Sequence, residues 1–140
     1  ISFDNSQVVM IFGVHGAVRC HELPFVHLEH VKEYTRDGQT LLYVTLPRTK
    51  NKKPRSFVIN NHERVKIVKK YLSLRPKKIV ASRFFYRYTK GKPFNSFIGR
   101  NKFADMPRET ALYLNLPNPE LYTGNFIKCN EYLCYKCRLQ

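Results

Sequence analysis

An apolar stretch dominates the first part of the chain. Residues 8–14 contain no charged or polar side chain. Such a stretch has no face that favours water, so it predicts the end of a buried helix over about Ser6–Val14. Gly16 then loosens the backbone just ahead of Arg19. The pattern therefore predicts a packed helix that fixes Arg19 beyond its end.

The following segment alternates between apolar and polar positions, which is typical of strands. Pro24 breaks a short helix ahead of a first strand near His27–Val31, and Asp37-Gly38 is a hairpin signal between two extended segments. Alternate positions of these segments are apolar: Leu42, Val44, Leu46, Phe57 and Ile59. We predict a three-stranded antiparallel sheet whose basic turn lies in solvent.

Helical periodicity returns after the sheet. Asn61 is placed to cap a helix that ends before Pro76, and its apolar face carries Val65, Val68 and Leu72. A last helix is predicted further along, with Pro107 in its first turn. Together the elements predict an α+β fold, a mainly helical domain with a small three-stranded antiparallel sheet.

Between these two helices, the segment Arg83–Tyr88 alternates large rings with arginines. Mixed aromatic and basic residues stack on nucleic-acid bases in some proteins, but a buried strand explains the rings more simply. We interpret the segment as a strand, and Gly91 and Pro93 as a connection after it.

The net charge of the chain narrows the range of possible partners. The 140 residues include 25 Lys+Arg and 10 Asp+Glu, for a formal net charge of +15. Between Arg48 and Lys102 eighteen residues are basic, and Glu63 is the single acid. Such a block predicts a polyanionic partner, because each neutralised phosphate releases counterions. The alternative is a basic surface with no specific ligand. The charge accompanies neither a long apolar span nor a basic amphipathic helix, so we expect no membrane partner.

The four cysteines do not have the spacing of a disulfide framework. Cys20 stands alone, whereas Cys129, Cys134 and Cys137 crowd the end of the chain. Their spacing suits zinc or an iron–sulfur cluster, but the tail lacks a fourth ligand and the histidines lie far away in sequence. We predict reduced thiols, no metal site and no small-molecule cofactor.

Two short motifs carry the candidate chemistry. They are the segment Arg19–Leu23, which reads Arg-Cys-His-Glu-Leu, and the basic turn Thr49–Arg55. Taken alone, an arginine near a glutamate is more often a structural ion pair, and a basic turn is usually solvated. With the hairpin Tyr43–Lys50 and the run Gly99–Gly124, however, they resemble the catalytic domain of tyrosine recombinases, the phage-integrase superfamily. The later run is most similar to the eukaryotic, Crypton-like branch encoded by transposons, and the resemblance covers residues 8–124.

The resemblance implies a defined chemistry. In this family a tyrosine attacks a DNA phosphodiester to form a 3′-phosphotyrosyl bond, and two arginines bind the scissile phosphate. Arg19 matches the first arginine. Lys50 matches a hairpin lysine that protonates the leaving oxygen, and Lys52 or Lys53 replaces it if the turn register shifts. We expect Arg19 to matter for folding too, because its helix start packs against the apolar stretch and Glu22.

The expected DNA contacts are cations on the hairpin and on later helices. They are Arg48, Lys50, Lys52, Lys53, Arg55, Lys69, Lys70 and Arg100. After Gly124 the chain departs from the family pattern, since Asn125 and Lys128 stand where the family has histidine and the second arginine. Tyr132 and Tyr135 follow too closely to match the nucleophile. We therefore assign residues 1–124 to a partial catalytic-like domain and 125–140 to a divergent tail.

These features predict a DNA-binding domain of an integrase-like protein, associated with DNA recombination and integration, that is incomplete and does not cleave DNA alone. Its partner would be duplex DNA, with self-association left open, and its location the nucleus. The start at Ile1 suggests a fragment. The alternative is a domesticated, non-enzymatic protein-interaction module that kept the fold. An RNA-binding protein fits the charge but lacks a recognisable RNA motif.

Overall fold

The computed structural model describes residues 5–47, 53–79 and 82–122. Three helices and five strands lie within these ranges. In chain order they are α1 (Asn5–Gly16), β1 (Val31–Arg36), β2 (Gln39–Leu46), β3 (Arg55–Ile59), α2 (His62–Ser73), β4 (Tyr86–Thr89), β5 (Lys92–Phe97) and α3 (Arg100–Tyr113). Short 3-10 turns occupy Leu23–Phe25, Leu28–His30 and Pro119–Tyr122. The architecture is α+β, as the sequence predicts.

Helix α1 forms the centre of the core. Val8, Val9 and Phe12 are fully buried, and α1 contacts both other helices and strands β3 and β4. A helix that is apolar on all sides is stable only when neighbours enclose it. The predicted buried helix is therefore confirmed.

Strands β1, β2 and β3 form the predicted antiparallel sheet. Asp37 and Gly38 both have positive φ angles, 51° and 77°, as the tight turn between twisted strands requires. The inner face of the sheet is apolar and consists of Leu42, Val44, Leu46, Phe57 and Ile59. Alternation along β2 and β3 thus places one face on the core.

The first strand begins later than predicted. Residues 28–30 form a 3-10 turn, and β1 starts at Val31. The backbone N–H of His27 donates to Nδ1 of His30 at 2.9 Å, and that of Leu28 donates to the Ser82 carbonyl at 2.7 Å. These donors are used outside the three-stranded sheet, so the predicted strand near His27–Val31 was wrong.

Helix α2 begins as predicted at the Asn61 cap, whose Oδ1 accepts the Arg64 N–H at 3.2 Å. Its buried face is formed by Val65, Val68 and Tyr71. The ring of Tyr71 stacks on that of Tyr86, with centroids 4.3 Å apart. The Tyr71 hydroxyl donates to the Tyr86 carbonyl at 2.5 Å and accepts the Tyr86 N–H at 2.7 Å. This pair fixes β4 against α2.

The segment after residue 82 contains the clearest departures from the sequence prediction. Residues 84–86 are buried, which confirms the structural interpretation of the rings. The segment around Gly91 and Pro93 is a hairpin, with β5 paired to β4, and not a plain connection. Its side chains are exposed from Lys92 through Ser96, so β5 lacks the alternation that would have revealed it.

Helix α3 begins at Arg100, and Pro107 lies in its interior. The prediction of Pro107 in the first turn was therefore wrong. Phe103 and Met106, fully buried in the turn before it, anchor the helix by packing. Tertiary burial here outweighs the local preference of proline for a helix start.

Close packing of α1 on β3 makes a first prediction. A Cβ atom built at Gly16 would lie 2.8 Å from Cγ of Phe57 and closer still to other ring atoms. We expect Gly16→Ala to lower the free energy of unfolding by about 1–3 kcal/mol through overpacking. Gly99→Ala is the control, because a Cβ there meets nothing within 4 Å. Equal losses in chemical denaturation of the two variants would contradict the close approach.

Candidate nucleic-acid interface

The candidate site is organised by a buried carboxylate. The Glu22 side chain is 2% exposed. Its Oε2 atom accepts a hydrogen bond from Nη2 of Arg55 at 3.0 Å and another from the Arg19 backbone N–H at 2.9 Å. A buried charge is tolerated only when it is paired and hydrogen-bonded, and both conditions hold here.

Arg55 joins this carboxylate to the end of α1. Its Nη1 donates to the Gly16 carbonyl, and its Nη2 also donates to the Ala17 carbonyl at 3.1 Å. Carbonyls at a helix end lack intrahelical donors, and a planar guanidinium can satisfy several acceptors at once. One side chain of β3 therefore holds the end of α1 and the Arg19 turn together.

Arg19 differs from its expected environment. Its side chain is exposed, and the ionic partner of Glu22 is Arg55. The expectation that Arg19 is fixed by packing against Glu22 was therefore wrong: its backbone N–H, and not its guanidinium, contacts that carboxylate. The guanidinium of Arg19 projects from an anchored turn towards solvent.

The base of the basic segment lies at the same place. Arg55 is the register partner of Leu46, so residues 47–54 connect two strand ends that lie beside the Glu22 cluster. Lys53 is exposed there. Arg48, Lys50 and Lys52 lie outside the described residues, as do Asn125 and Lys128. Their predicted roles stay predictions.

The other predicted DNA contacts are spread over two helices. Lys69 on α2 pairs with Glu33 of β1 at 2.9 Å, and both side chains are half-exposed. Glu33 opposes Leu42, four residues along β2 from Leu46, so the position of Glu33 lies roughly 13 Å from that of Arg55 along the strand direction. Lys70 is exposed on the same helix, and Arg100 is exposed at the start of α3.

Sequence reasoning missed a contact between His15 and Arg64. The Nη1 atom of Arg64 lies 3.1 Å from Nε2 of His15, in the last turn of α1. A guanidinium only donates, so this ring nitrogen accepts and the imidazole is neutral. Burial and the nearby positive charge of Arg64 lower the pKa of His15 below its usual 6.5. No spacing rule would have paired residues 49 positions apart.

Among the residues that the structure describes, no group of His, Cys, Asp and Glu side chains could hold a metal ion. Within these same residues, no helix has the length and hydropathy of a membrane span. The described site presents exposed cations, Arg19 on the anchored turn and Lys53 at the base of the hairpin.

Solved structures of a site-specific recombinase share this fold. One is the XerH site-specific recombinase bound to difH substrate in a pre-cleavage complex, with a TM-score of 0.61 and 14% identity. Another is XerH bound to a palindromic difH substrate in a post-cleavage complex, with a TM-score of 0.61 and 13% identity. Each match covers 96% of this chain, but 36% and 35% of the respective recombinase chains.

The likeness shows that the chain has the fold of these site-specific recombinases, which agrees with the fold that the sequence motifs predict. At this identity it establishes fold, and the chain spans about a third of the length of the recombinase structures that it matches. No protein-family model and no curated protein matches the sequence.

The Glu22 cluster makes a second prediction. Glu22→Gln should lower the free energy of unfolding by about 2–4 kcal/mol, because it removes a buried charge from Arg55 and disturbs two hydrogen bonds. Arg19→Ala should change stability by about 0.5 kcal/mol or less, since its side chain is exposed. Glu33→Gln, which breaks a half-exposed pair, is the matched control and should cost under about 1 kcal/mol. A large loss of unfolding free energy in Arg19→Ala would contradict this and would indicate that the Arg19 side chain is packed.

The His15 environment makes a third prediction. Because the folded chain binds a proton at His15 less readily than the unfolded chain, stability should be fully present above pH 6.5 and decline as pH falls through the lowered pKa. His15→Gln should reduce this decline in melting temperature between about pH 7 and pH 5, because glutamine accepts from Arg64 without titrating. His62→Gln, at an exposed position, should keep the wild-type decline. Identical profiles in all three proteins would contradict the assignment.

Proposed function

We propose that this chain is the duplex-DNA-binding domain of an integrase-like protein of the tyrosine-recombinase type, associated with DNA recombination and integration. The observation that carries the proposal is the Glu22–Arg55 ion pair, 3.0 Å long, which holds the Arg19 turn beside the base of the basic hairpin. By the family resemblance, the phosphate-binding arginine and the hairpin lysine fall on these two segments. Two solved neighbours of the same fold are recombinases bound to difH substrates.

Electrostatics support the same partner. The formal net charge is +15, and the segment from Arg48 to Lys102 carries one acid and eighteen cations. Cations that neutralise phosphates release condensed counterions, and this provides affinity with little dependence on base sequence. An exposed Arg19 fits this role, because a guanidinium binds two phosphate oxygens in one plane.

Cleavage by this chain alone is not part of the proposal. Arg19 and Lys50 match family positions, but Asn125 and Lys128 replace the histidine and second arginine, and lysine lacks the bidentate fork. We infer an incomplete, transposon-derived catalytic domain of the Crypton-like branch that acts in the nucleus. These finer statements rest on the sequence resemblance.

A second candidate is a non-enzymatic protein-interaction module. It is favoured by the outer face of the three-stranded sheet, where Tyr34, Tyr43 and Val58 are 53%, 40% and 41% exposed. The rings of Tyr34 and Tyr43 meet edge to face, with centroids 6.3 Å apart. Self-association through this face belongs to the same candidate.

Salt dependence of DNA binding tests the proposed function. We expect duplex affinity, measured by fluorescence anisotropy, to fall by about 10³ or more between about 50 and 200 mM salt if six or more phosphates are contacted. Arg19→Gln should weaken binding to duplexes of different sequence by similar factors, without changing the melting temperature. Absence of duplex binding at the lower salt concentration would contradict the proposal, and salt-insensitive protein capture through the Tyr34 face would favour the interaction module.

A further inference from the structure

The β4–β5 hairpin carries cations for which the described residues provide no acidic partner. Arg87, Lys90 and Lys92 lie on it, Arg83 just precedes it, and no Asp or Glu occurs between residues 82 and 104. Four acids elsewhere in the described ranges are paired with cations: Glu22 with Arg55, Glu33 with Lys69, Glu109 with Lys102, and Asp105 with Arg108. The hairpin therefore presents a local excess of positive charge.

Aromatic rings hold two of these cations in place. The guanidinium of Arg87 lies over the Phe94 ring, 4.5 Å from its centroid, and that of Arg83 lies over Phe97 at 4.8 Å. Arg87 is exposed, and Phe94 is 37% exposed. A guanidinium stacked on a ring keeps its N–H groups in its own plane, where they can bind phosphate oxygens. Stacking on Phe94 thus restricts the conformations of the Arg87 guanidinium before any phosphate binds.

The hairpin tip adds two exposed lysines to this surface. Lys90 and Gly91 form the turn, with φ angles of 53° and 73°, and Lys92 follows directly. Both lysines are exposed. Because the positive φ angles define a tight turn, the two lysines lie close together in the chain at the tip of the hairpin.

Helix α1 sets the spacing between this hairpin and the Glu22 cluster. Oδ1 of the buried Asn5, at the start of α1, accepts the Tyr88 N–H at 3.0 Å. Arg55 binds the Gly16 carbonyl at the other end of the same helix. Along the axis these ends are roughly 17 Å apart, at about 1.5 Å per residue.

We propose that the β4–β5 hairpin is a second phosphate-binding element for duplex DNA, in which Arg87, braced by Phe94, and the tip residues Lys90 and Lys92 bind the sugar–phosphate backbone at a site separate from the Arg19 turn. The inference rests on the proposed DNA-binding function and adds a site to it. The hairpin binds phosphates, so it adds affinity at every DNA sequence.

Salt titrations of hairpin variants test this second element. The slope of log affinity against log salt should become shallower by about one for each phosphate that a variant no longer neutralises. We therefore expect a change of about one in Arg87→Gln and of about two in the double variant Lys90→Gln/Lys92→Gln. Lys102→Gln/Arg108→Gln is the matched control, because it removes two cations that have acidic partners on α3. The control should keep the wild-type slope.

A further variant separates charge from geometry. Arg87→Lys keeps the charge but removes the planar fork from Phe94, so the slope should stay within about half a unit while affinity falls several-fold. If the wild-type chain binds no duplex, the proposed function fails and this inference fails with it. If the wild-type chain binds and the lysine double variant keeps its slope, the hairpin does not bind DNA and the proposed function stands. The tip lysines are exposed, so that variant is expected to fold even if Arg87→Gln does not.

Discussion

The burial of the Glu22 carboxylate is the constraint on which the candidate site depends. Taking a carboxylate out of water costs several kcal/mol unless donors replace the solvent that is removed. Here the donors come from two places, the Arg55 guanidinium and the Arg19 backbone. Because Arg55 also satisfies carbonyls at the end of α1, three chain segments must adopt one arrangement for all of these groups to be paired. The ion pair specifies where the Arg19 turn lies relative to the sheet.

This arrangement also requires a close approach of helix and sheet. Gly16 faces the Phe57 ring at a distance that admits no Cβ, and the same glycine supplies a carbonyl to Arg55. Phe57 in turn packs edge-on against Phe12 of α1, with centroids 5.7 Å apart. A larger residue at position 16 would move the helix end away from β3 and lengthen the hydrogen bonds of Arg55. Packing and ion pairing thus both fix the contact between the end of α1 and strand β3.

Much of the fold follows from local signals in the sequence. Alternation in β2, the apolar stretch of α1 and the Asn61 cap are features of single segments, and each was predictable from the residues alone. The partner of Glu22 was not, because Arg19 is nearer in sequence whereas Arg55 reaches the carboxylate through the register of β3 on β2. Strand β5 was not predicted because its side chains are exposed at successive positions. The start of α3 was predicted at the wrong residue because burial of Phe103 and Met106 outweighs the preference of Pro107 for the first turn of a helix. The motif around Arg19 located the turn correctly, whereas the surroundings of its side chain depend on contacts between distant segments.

The distribution of charge connects the fold to its proposed partner. Several of the described acids serve internal pairs, one buried at Glu22 and others on exposed helix and strand surfaces, while the Arg19 turn and the β4–β5 hairpin expose cations to solvent. Like charges that face solvent repel one another and oppose the compact state, and a polyanion that binds the folded chain relieves this repulsion. Salt therefore acts in opposite directions on folding and on DNA binding. It screens the repulsion within the folded chain and so favours folding, but it removes the counterion release that drives DNA binding.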